Sequence, residues 1–235
     1  MAGAGGIGAE CVAGYVGAGA RVLVTDRDEV RLRRLADDVP GIEVVPADLT
    51  QRGAGAAVVA EAVARLGGLD VLLHCVGVND RRAVLEFTED EWDRVMRVNL
   101  STAFGTAQAA GRHMVARQRG RIVLLSSVSG HLAHAHHGPY AASKGAMNQM
   151  MRVMAREWAR FGVTVNAVAP GYVETNLTTA YLARPGVRDG LVGLVPAGRL
   201  GRPDEIVGPV LFLSSARAAF VTGHVLYADG GRTLV

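Results

Sequence analysis

Tyr140 and Lys144 stand four residues apart in Tyr140-Ala141-Ala142-Ser143-Lys144. On a helix that spacing puts a phenol and an ammonium on one face. A free phenol titrates near pH 10, too high for a base at neutral pH, and a neighbouring cation favours phenolate. The pair is therefore suited to moving a proton to or from an alcohol oxygen. Taken alone, it is also what an ordinary amphipathic helix would carry. Ser127 lies thirteen residues before Tyr140, just past a predicted strand, Arg121–Leu125. A hydroxyl there can hold a substrate oxygen against Tyr140. Ser126 could do the same, but the spacing favours Ser127. Asn99 falls inside a predicted helix, Thr88–Arg117, a poor place for Asn unless its side chain has a task. A kink with a bound water linking Asn99 to Lys144 would supply one. A satisfied polar contact between helices is the alternative.

A second constellation opens the chain. Met1-Ala2-Gly3-Ala4-Gly5-Gly6-Ile7-Gly8 runs straight into a predicted helix, Gly6–Gly19. Glycines there let backbone approach a pyrophosphate, and the helix N-terminus offers free N–H groups. Asp26 ends the next predicted strand, where a carboxylate can accept bonds from ribose hydroxyls and repel a 2′-phosphate. That favours NAD over NADP, although Arg27 beside it could tolerate a phosphate.

The elements that must position these groups alternate. Predicted strands are Arg21–Thr25, Ile42–Pro46, Asp70–Cys75, Arg121–Leu125, Val163–Val168 and His224–Tyr227. Predicted helices are Gly6–Gly19, Glu29–Asp38, Gly53–Leu66, Thr88–Arg117, Tyr140–Phe161 and Pro203–Ser214. Several strands are apolar without alternation, as in strands covered on both faces. The expectation is an α/β fold with a doubly wound, Rossmann-like parallel sheet in a single domain. No strand precedes the glycine loop, so the N-terminal strand of such a sheet is missing from the sequence and two neighbouring edges are expected to lack a partner. In such sheets ligands sit beyond the carboxyl ends of the strands.

Composition narrows the function classes. The 235 residues carry a net charge of +3, but the arginines are scattered, with no basic stripe for nucleic acid. Cys11 and Cys75 are the only cysteines, which argues for a reducing, cytoplasmic setting rather than a disulfide framework. No signal peptide or membrane-spanning run is evident, so the matches to a glycosylation pattern at Asn99-Leu100-Ser101 and Asn176-Leu177-Thr178 are incidental. His131, His134, His136 and His137 cluster before Tyr140. With no Cys, Asp or Glu beside them, a pocket or subunit-contact loop is the better reading than a metal site. Cys75 reads as a buried small hydrophobe, and Met147, Met150, Met151 and Met154 as a core or interface stripe.

Together these residues resemble the short-chain dehydrogenase/reductases over essentially the whole chain. The matching pieces are the glycine-rich opening, Asp26, Asp48-Leu49, Gly77, Asn99, Ser126-Ser127, Tyr140 with Lys144, Pro170-Gly171 with Thr175, and Asp229-Gly230-Gly231. The resemblance implies that Tyr140 is the general acid/base, that Lys144 lowers its pKa and binds the nicotinamide ribose, that Ser127 orients the substrate, and that Asn99 completes a water relay. It implies a nicotinamide cofactor held by Gly5, Ile7, Gly8, Asp26, Asp48, Leu49, Gly77, Tyr140, Lys144, Pro170, Gly171 and Thr175, with no metal. Asp48 and Leu49 would flank the adenine and Thr175 would hold the carboxamide. The chain departs from the family where Thr-Gly usually opens the glycine motif, here Met1 and Ala2, and where Asn-Asn-Ala-Gly reads His74-Cys75-Val76-Gly77. The expected activity is hydride exchange with a secondary alcohol/ketone pair, by a homo-oligomer (dimer or tetramer) that binds neither nucleic acid nor membrane. The segment Tyr172 to Leu200, with Asn176, Tyr181 and Arg184, is the expected substrate lid. The rival reading is a silent or cofactor-poor member acting as a binding or assembly subunit. The four coordinated groups favour the enzyme; the altered glycine motif favours its rival.

Overall fold

A computed structural model describes residues 1–175 and 178–235; Asn176 and Leu177, predicted for the lid, lie outside the described residues. Strands β1 (Leu23–Asp26), β2 (Glu43–Pro46), β3 (Val71–His74), β4 (Gly120–Leu125), β5 (Val163–Pro170) and β6 (Val225–Ala228) are all parallel. β1 pairs with β2, and β3 to β6 pair in sequence order.

The lane between β1 and β3 is where the expectation needs correcting. The two edges do not stand wholly apart. Ala2 bridges Thr25 on one side and His74 on the other, both parallel. Its N–H donates to Leu73 O at 3.0 Å and its carbonyl accepts from Cys75 N at 2.8 Å, while Thr25 N donates to Met1 O at 2.9 Å. Met1–Gly3 thus stitch the carboxyl ends of β1 and β3 together, and the glycine loop leaves from that stitch. A strand's work at a ligand site is done at its carboxyl end, and the pairing of Met1–Gly3 lies there and aims the loop.

Helices cover both faces. On one side α1 (Ile7–Gly17), α2 (Glu29–Asp38) and α9 (Val207–Ser214) pack Cys11, Val12, Tyr15, Leu32, Val210 and Leu213 against Val24, Leu73, Val123 and Val168. On the other, α3 (Ala54–Leu66), α5 (Thr102–Ala116) and α6 (Gly138–Trp158) bury Ala103, Ala107, Ala110, Met114, Met147, Met151 and Met154 against Ile122, Leu124, Val163 and Val165. The methionine stripe is therefore largely core. Small residues on α5 let it approach closely, as the scarcity of aromatics requires. All eight residues of β5 are buried, as expected of a strand covered on both faces.

The predicted helix Thr88–Arg117 divides. α4 (Glu89–Met96) starts from a Thr88/Glu91 capping box. It meets α5 through one wide π turn, Arg97–Ser101, which holds Asn99. Such turns are rare and concentrate at functional sites. Two short helices that the sequence pattern missed, α7 (Thr179–Leu182) and α8 (Val187–Val192), lie in the lid segment.

Candidate active site

α6 begins at Gly138 with Pro139 in its first turn, a position that tolerates the missing N–H. Tyr140 therefore sits at the start of the helix and Lys144 one turn on. Lys144 is 4% exposed. Its ammonium donates to Leu125 O, at the end of β4, over 2.7 Å, and lies 5.8 Å from the Tyr140 ring centre. Burial pulls its pKa down to about 8. The Tyr140 phenol moves the other way: burial pushes it above its ordinary value, against the hydrogen bond from Ser127 and the charge of Arg81. The expected drop driven by Lys144 is thus not found. The lysine spends its nearest bond on a backbone carbonyl, and desolvation of the phenol outweighs the cations around it.

Ser126 and Ser127 divide their tasks. Ser126 Oγ donates to Asn148 Oδ1 at 2.6 Å, a buried strut between β4 and α6. Ser127 Oγ accepts from Ser129 N at 3.1 Å, which leaves its proton for the Tyr140 phenol or for a substrate oxygen that comes between them. Asn99 is fully buried. Its Oδ1 accepts from Val78 N at 2.8 Å, and its Nδ2 donates to Val78 O at 2.9 Å and Ser143 Oγ at 3.0 Å. Both amide protons are spent, so Asn99 ties the loop after β3 to the catalytic helix and keeps one acceptor lone pair in reserve.

Two cavities meet beside these groups. One, of about 400 Å³, is lined by Gly5, Gly6, Ile7, Gly8, Asp26, Asp48, Leu49, Gly77 and Thr175. The other, of about 360 Å³, is lined by Ser127, Tyr140, Lys144, Pro170 and Gly171. Ile7, Cys75, Gly77, Leu125 and Thr175 border both, making one cleft with a long groove and a side pocket. Cys75 is therefore a wall of the cleft as well as an apolar filler, and burial holds its thiol well above the usual range. The groove fits a dinucleotide because side chains are absent where a phosphate backbone would lie. A Cβ on Gly8 would stand 2.3 Å from Gly3 O, and Gly6 has φ +50° with nothing nearer than Thr175 at 3.4 Å. Gly6 caps α1 without a side-chain bond, so the start of that helix, where Gly6, Ile7 and Gly8 line the groove, carries no side-chain cap. At Gly77 a Cβ would meet Asn99 Oδ1 at 3.5 Å and Lys144 Nζ at 3.7 Å; its absence opens the groove to the lysine.

The family model described as "Enoyl-(Acyl carrier protein) reductase" matches residues 1–233. The chain belongs to the short-chain dehydrogenase/reductase family. It is 39% identical over 233 residues to galactitol 2-dehydrogenase (L-tagatose-forming) of Cereibacter sphaeroides, covering 97% of this chain and 91% of that protein. It is 36% identical over the same length to gluconate 5-dehydrogenase of Gluconobacter oxydans, with the same coverage. A crystal structure of a gluconate 5-dehydrogenase from Burkholderia cenocepacia, in complex with NADP and tartrate, superposes with a TM-score of 0.93 at 38% identity, covering 99% of this chain and 92% of that one. This dehydrogenase/reductase therefore interconverts secondary alcohols and ketones with a nicotinamide cofactor. No helix among its described residues is long and apolar enough to cross a membrane.

The side pocket also holds residues that sequence reasoning passed over. Arg81 lines it and donates through Nε to His137 Nε2 at 3.1 Å. Its guanidinium lies 4.3 Å from the Tyr181 ring centre, and its electrostatic neighbours are Tyr181, Tyr140 and Arg184, with no carboxylate among them. His134, Tyr172 and Arg232 line the same pocket. The histidine cluster was visible, but Arg81 and Arg232 lie far from it in the chain.

Proposed function

We propose that this dehydrogenase oxidises a secondary carbinol of a polyhydroxylated acid of the gluconate class, and runs the reverse reduction, with NAD preferred over NADP. The observation that carries the substrate class is Arg81, a guanidinium in the pocket beside Tyr140 with no carboxylate partner among the described residues. A half-buried cation in a pocket favours an anionic ligand, and a planar guanidinium matches a carboxylate in two bonds. The gluconate 5-dehydrogenase relatives, and the hydroxylated dicarboxylate tartrate held by one of them, support the same chemistry.

In this reading Ser127 turns its hydroxyl proton from Tyr140 to the substrate oxygen. Tyr140 removes the carbinol proton during oxidation and returns it during reduction. Lys144 presents its remaining ammonium protons toward the groove at Gly77, where they favour phenolate on Tyr140 and hold a ribose hydroxyl. Asn99 holds the loop and Ser143 so that Tyr140 and Lys144 keep their register, and its spare lone pair can anchor a water. Gly5, Ile7, Gly8, Asp26, Asp48, Leu49, Gly77, Pro170, Gly171 and Thr175 hold the nicotinamide dinucleotide, which supplies the hydride acceptor or donor when bound. The preference for NAD rests on Asp26. Its Oδ2 accepts from Ala4 N at 2.9 Å and its Oδ1 from Asp28 N at 3.1 Å, which holds a negative charge at the groove where a 2′-phosphate would come. Arg31, 3.7 Å from Asp26, and Arg27 border the same groove and allow NADP as the weaker partner.

The neutral polyol reading is favoured by the galactitol 2-dehydrogenase relative. Steady-state rates on D-gluconate and galactitol with each cofactor separate the two. Arg81→Leu should lower kcat/KM for gluconate by about tenfold to a hundredfold and leave galactitol nearly unchanged. A loss confined to galactitol, or shared equally, would remove the acid from the substrate class.

A further inference from the structure

Beyond Ser127, the side pocket contains a chain of polar groups that the proton chemistry does not use. Ser129 Oγ lies 2.9 Å from His134 Nδ1, Tyr172 Oη lies 3.2 Å from His134 Nε2, and Arg232 Nε donates to Tyr172 Oη at 3.3 Å. All four residues line the pocket. Ser129 is the residue whose own N–H is bonded to Ser127 Oγ, so its hydroxyl neighbours the one that meets the reacting oxygen. The rings of Tyr172, His134, His137 and Tyr140 follow one another with centres 5.6, 5.6 and 6.1 Å apart, which joins the chain to the catalytic phenol along one wall.

Resting on the proposed polyhydroxy substrate, we propose that Ser129, His134, Tyr172 and Arg232 form a polar subsite for a second substrate oxygen, one or two carbons from the reacting carbinol. A neutral imidazole has one N–H and one lone pair. His134 therefore donates to one of its two hydroxyl neighbours and accepts from the other. If Tyr172 donates to Nε2, then Nδ1–H donates to Ser129 and the Ser129 proton is left for a ligand. In the opposite tautomer the Tyr172 proton is left. Either way one hydroxyl proton of this chain is left for a partner outside it. Arg232 sets the bias: it can only donate, and a hydroxyl that accepts from a cation becomes a stronger donor itself. That directs the chain from Arg232 through Tyr172 and His134 to Ser129. The arrangement needs His134 uncharged, and burial together with His137 and Arg232 depresses its pKa to about 4. A substrate lacking the second oxygen leaves the last donor of this chain without a partner, and a site built to bond a hydroxyl rejects the analogue that lacks it.

D-gluconate and 5-hydroxyhexanoate make the test, because both carry a carboxylate and a secondary alcohol at the fifth carbon and differ in the remaining hydroxyls. The wild-type preference for gluconate in kcat/KM should fall by about tenfold or more in Ser129→Ala and in His134→Leu. His134→Gln, which keeps a donor and an acceptor, should retain part of it. Independently of turnover, the imidazole ¹⁵N resonances of His134 in the NADH-bound protein should move when gluconate is added and stay still with 5-hydroxyhexanoate. Equal loss on both substrates, or a His134 spectrum indifferent to gluconate, would overturn the subsite while leaving the dehydrogenase reading in place. A spectral response without turnover of gluconate would support the subsite and overturn the proposed reaction.

Discussion

At the substrate end of the cleft, chemistry is held by side chains bonded to one another. Ser126 grips Asn148, Asn99 grips Val78 and Ser143, and Lys144 grips Leu125. At the cofactor end it is held by side chains that are not there: Gly6 and Gly8 leave room, the start of α1 carries no side-chain cap, and Ala2 fastens the loop to β1 and β3. The first end fails when a functional group is removed; the second fails when an atom is added. That asymmetry separates proton transfer from cofactor binding and makes the two independently breakable.

The largest effect should come from the proton end. Tyr140→Phe removes only the oxygen that carries the proton, so kcat should fall by about a thousandfold or more. NADH affinity, followed by fluorescence, should stay within about twofold of wild type, since the groove contacts are untouched. Retained turnover would remove Tyr140 from the mechanism; lost NADH binding would show that the two ends are not separable. The converse change is Gly8→Ala. Its Cβ would sit 2.3 Å from the Gly3 carbonyl oxygen, a contact that backbone cannot relieve without moving the loop. The cofactor Kd should rise about tenfold to a hundredfold, with kcat at saturating cofactor much less affected. An unchanged Kd would mean that the loop is not the cofactor's seat.

How much of this could be read from residues alone follows the same division. Tyr140, Lys144, Ser127 and the β/α alternation were legible because they depend on side-chain type at short spacing. α2 was placed at Glu29–Asp38 and forms there, with Asp28 as its cap. The family pattern grouped Gly5, Ile7, Gly8, Asp26, Asp48 and Leu49, which line one groove, whereas a glycine loop alone is a weak signal. The stitch at Ala2 was not legible: pairing to Thr25 and His74 is set by three-dimensional register, and three residues are too few to show a strand period. Arg81 and Arg232 were missed for a related reason. Each lies remote in sequence from Tyr140, and nothing local distinguishes them from surface arginines. The upward displacement of the Tyr140 pKa was missed because spacing shows a cation on the same helix face but not how deeply the fold buries the phenol.

His74 sits at the seam between the two ends and offers a third test. It is fully buried beside the stitch. Its Nε2 lies 3.2 Å from Thr102 Oγ1, whose proton goes to Val98 O, so the ring is the donor; Nδ1 has no partner among the described residues. Burial, with Lys144 nearby, depresses its pKa from 6.5 to about 3. Between those values the unfolded chain binds a proton that the folded chain does not. Its stability term is therefore complete above pH 6.5 and is lost as the pH falls toward 3. Urea melts at pH 7 and pH 4.5 should differ by about 2–3 kcal/mol from this group. His74→Asn should flatten that difference, whatever its cost at pH 7. A wild-type and variant difference of the same size at both pH values would show that the ring is protonated in place.

The smallest expected effect is the most selective, because it divides the cofactor end against itself. Asp26 holds the loop through Ala4 N and carries a negative charge to the place of the 2′ substituent, while Arg31 and Arg27 stand beside it with the opposite charge. In Asp26→Asn the amide can still accept from Ala4 N through its oxygen, so the loop keeps its tether while the charge disappears. The ratio of kcat/KM for NAD to that for NADP should then fall by about tenfold, mostly through tighter use of NADP. Arg27→Ala should shift the ratio the other way by a smaller factor, since an exposed cation is screened by solvent. If Asp26→Asn weakens both cofactors equally, the carboxylate acts only on the loop, and selectivity lies with the arginines instead.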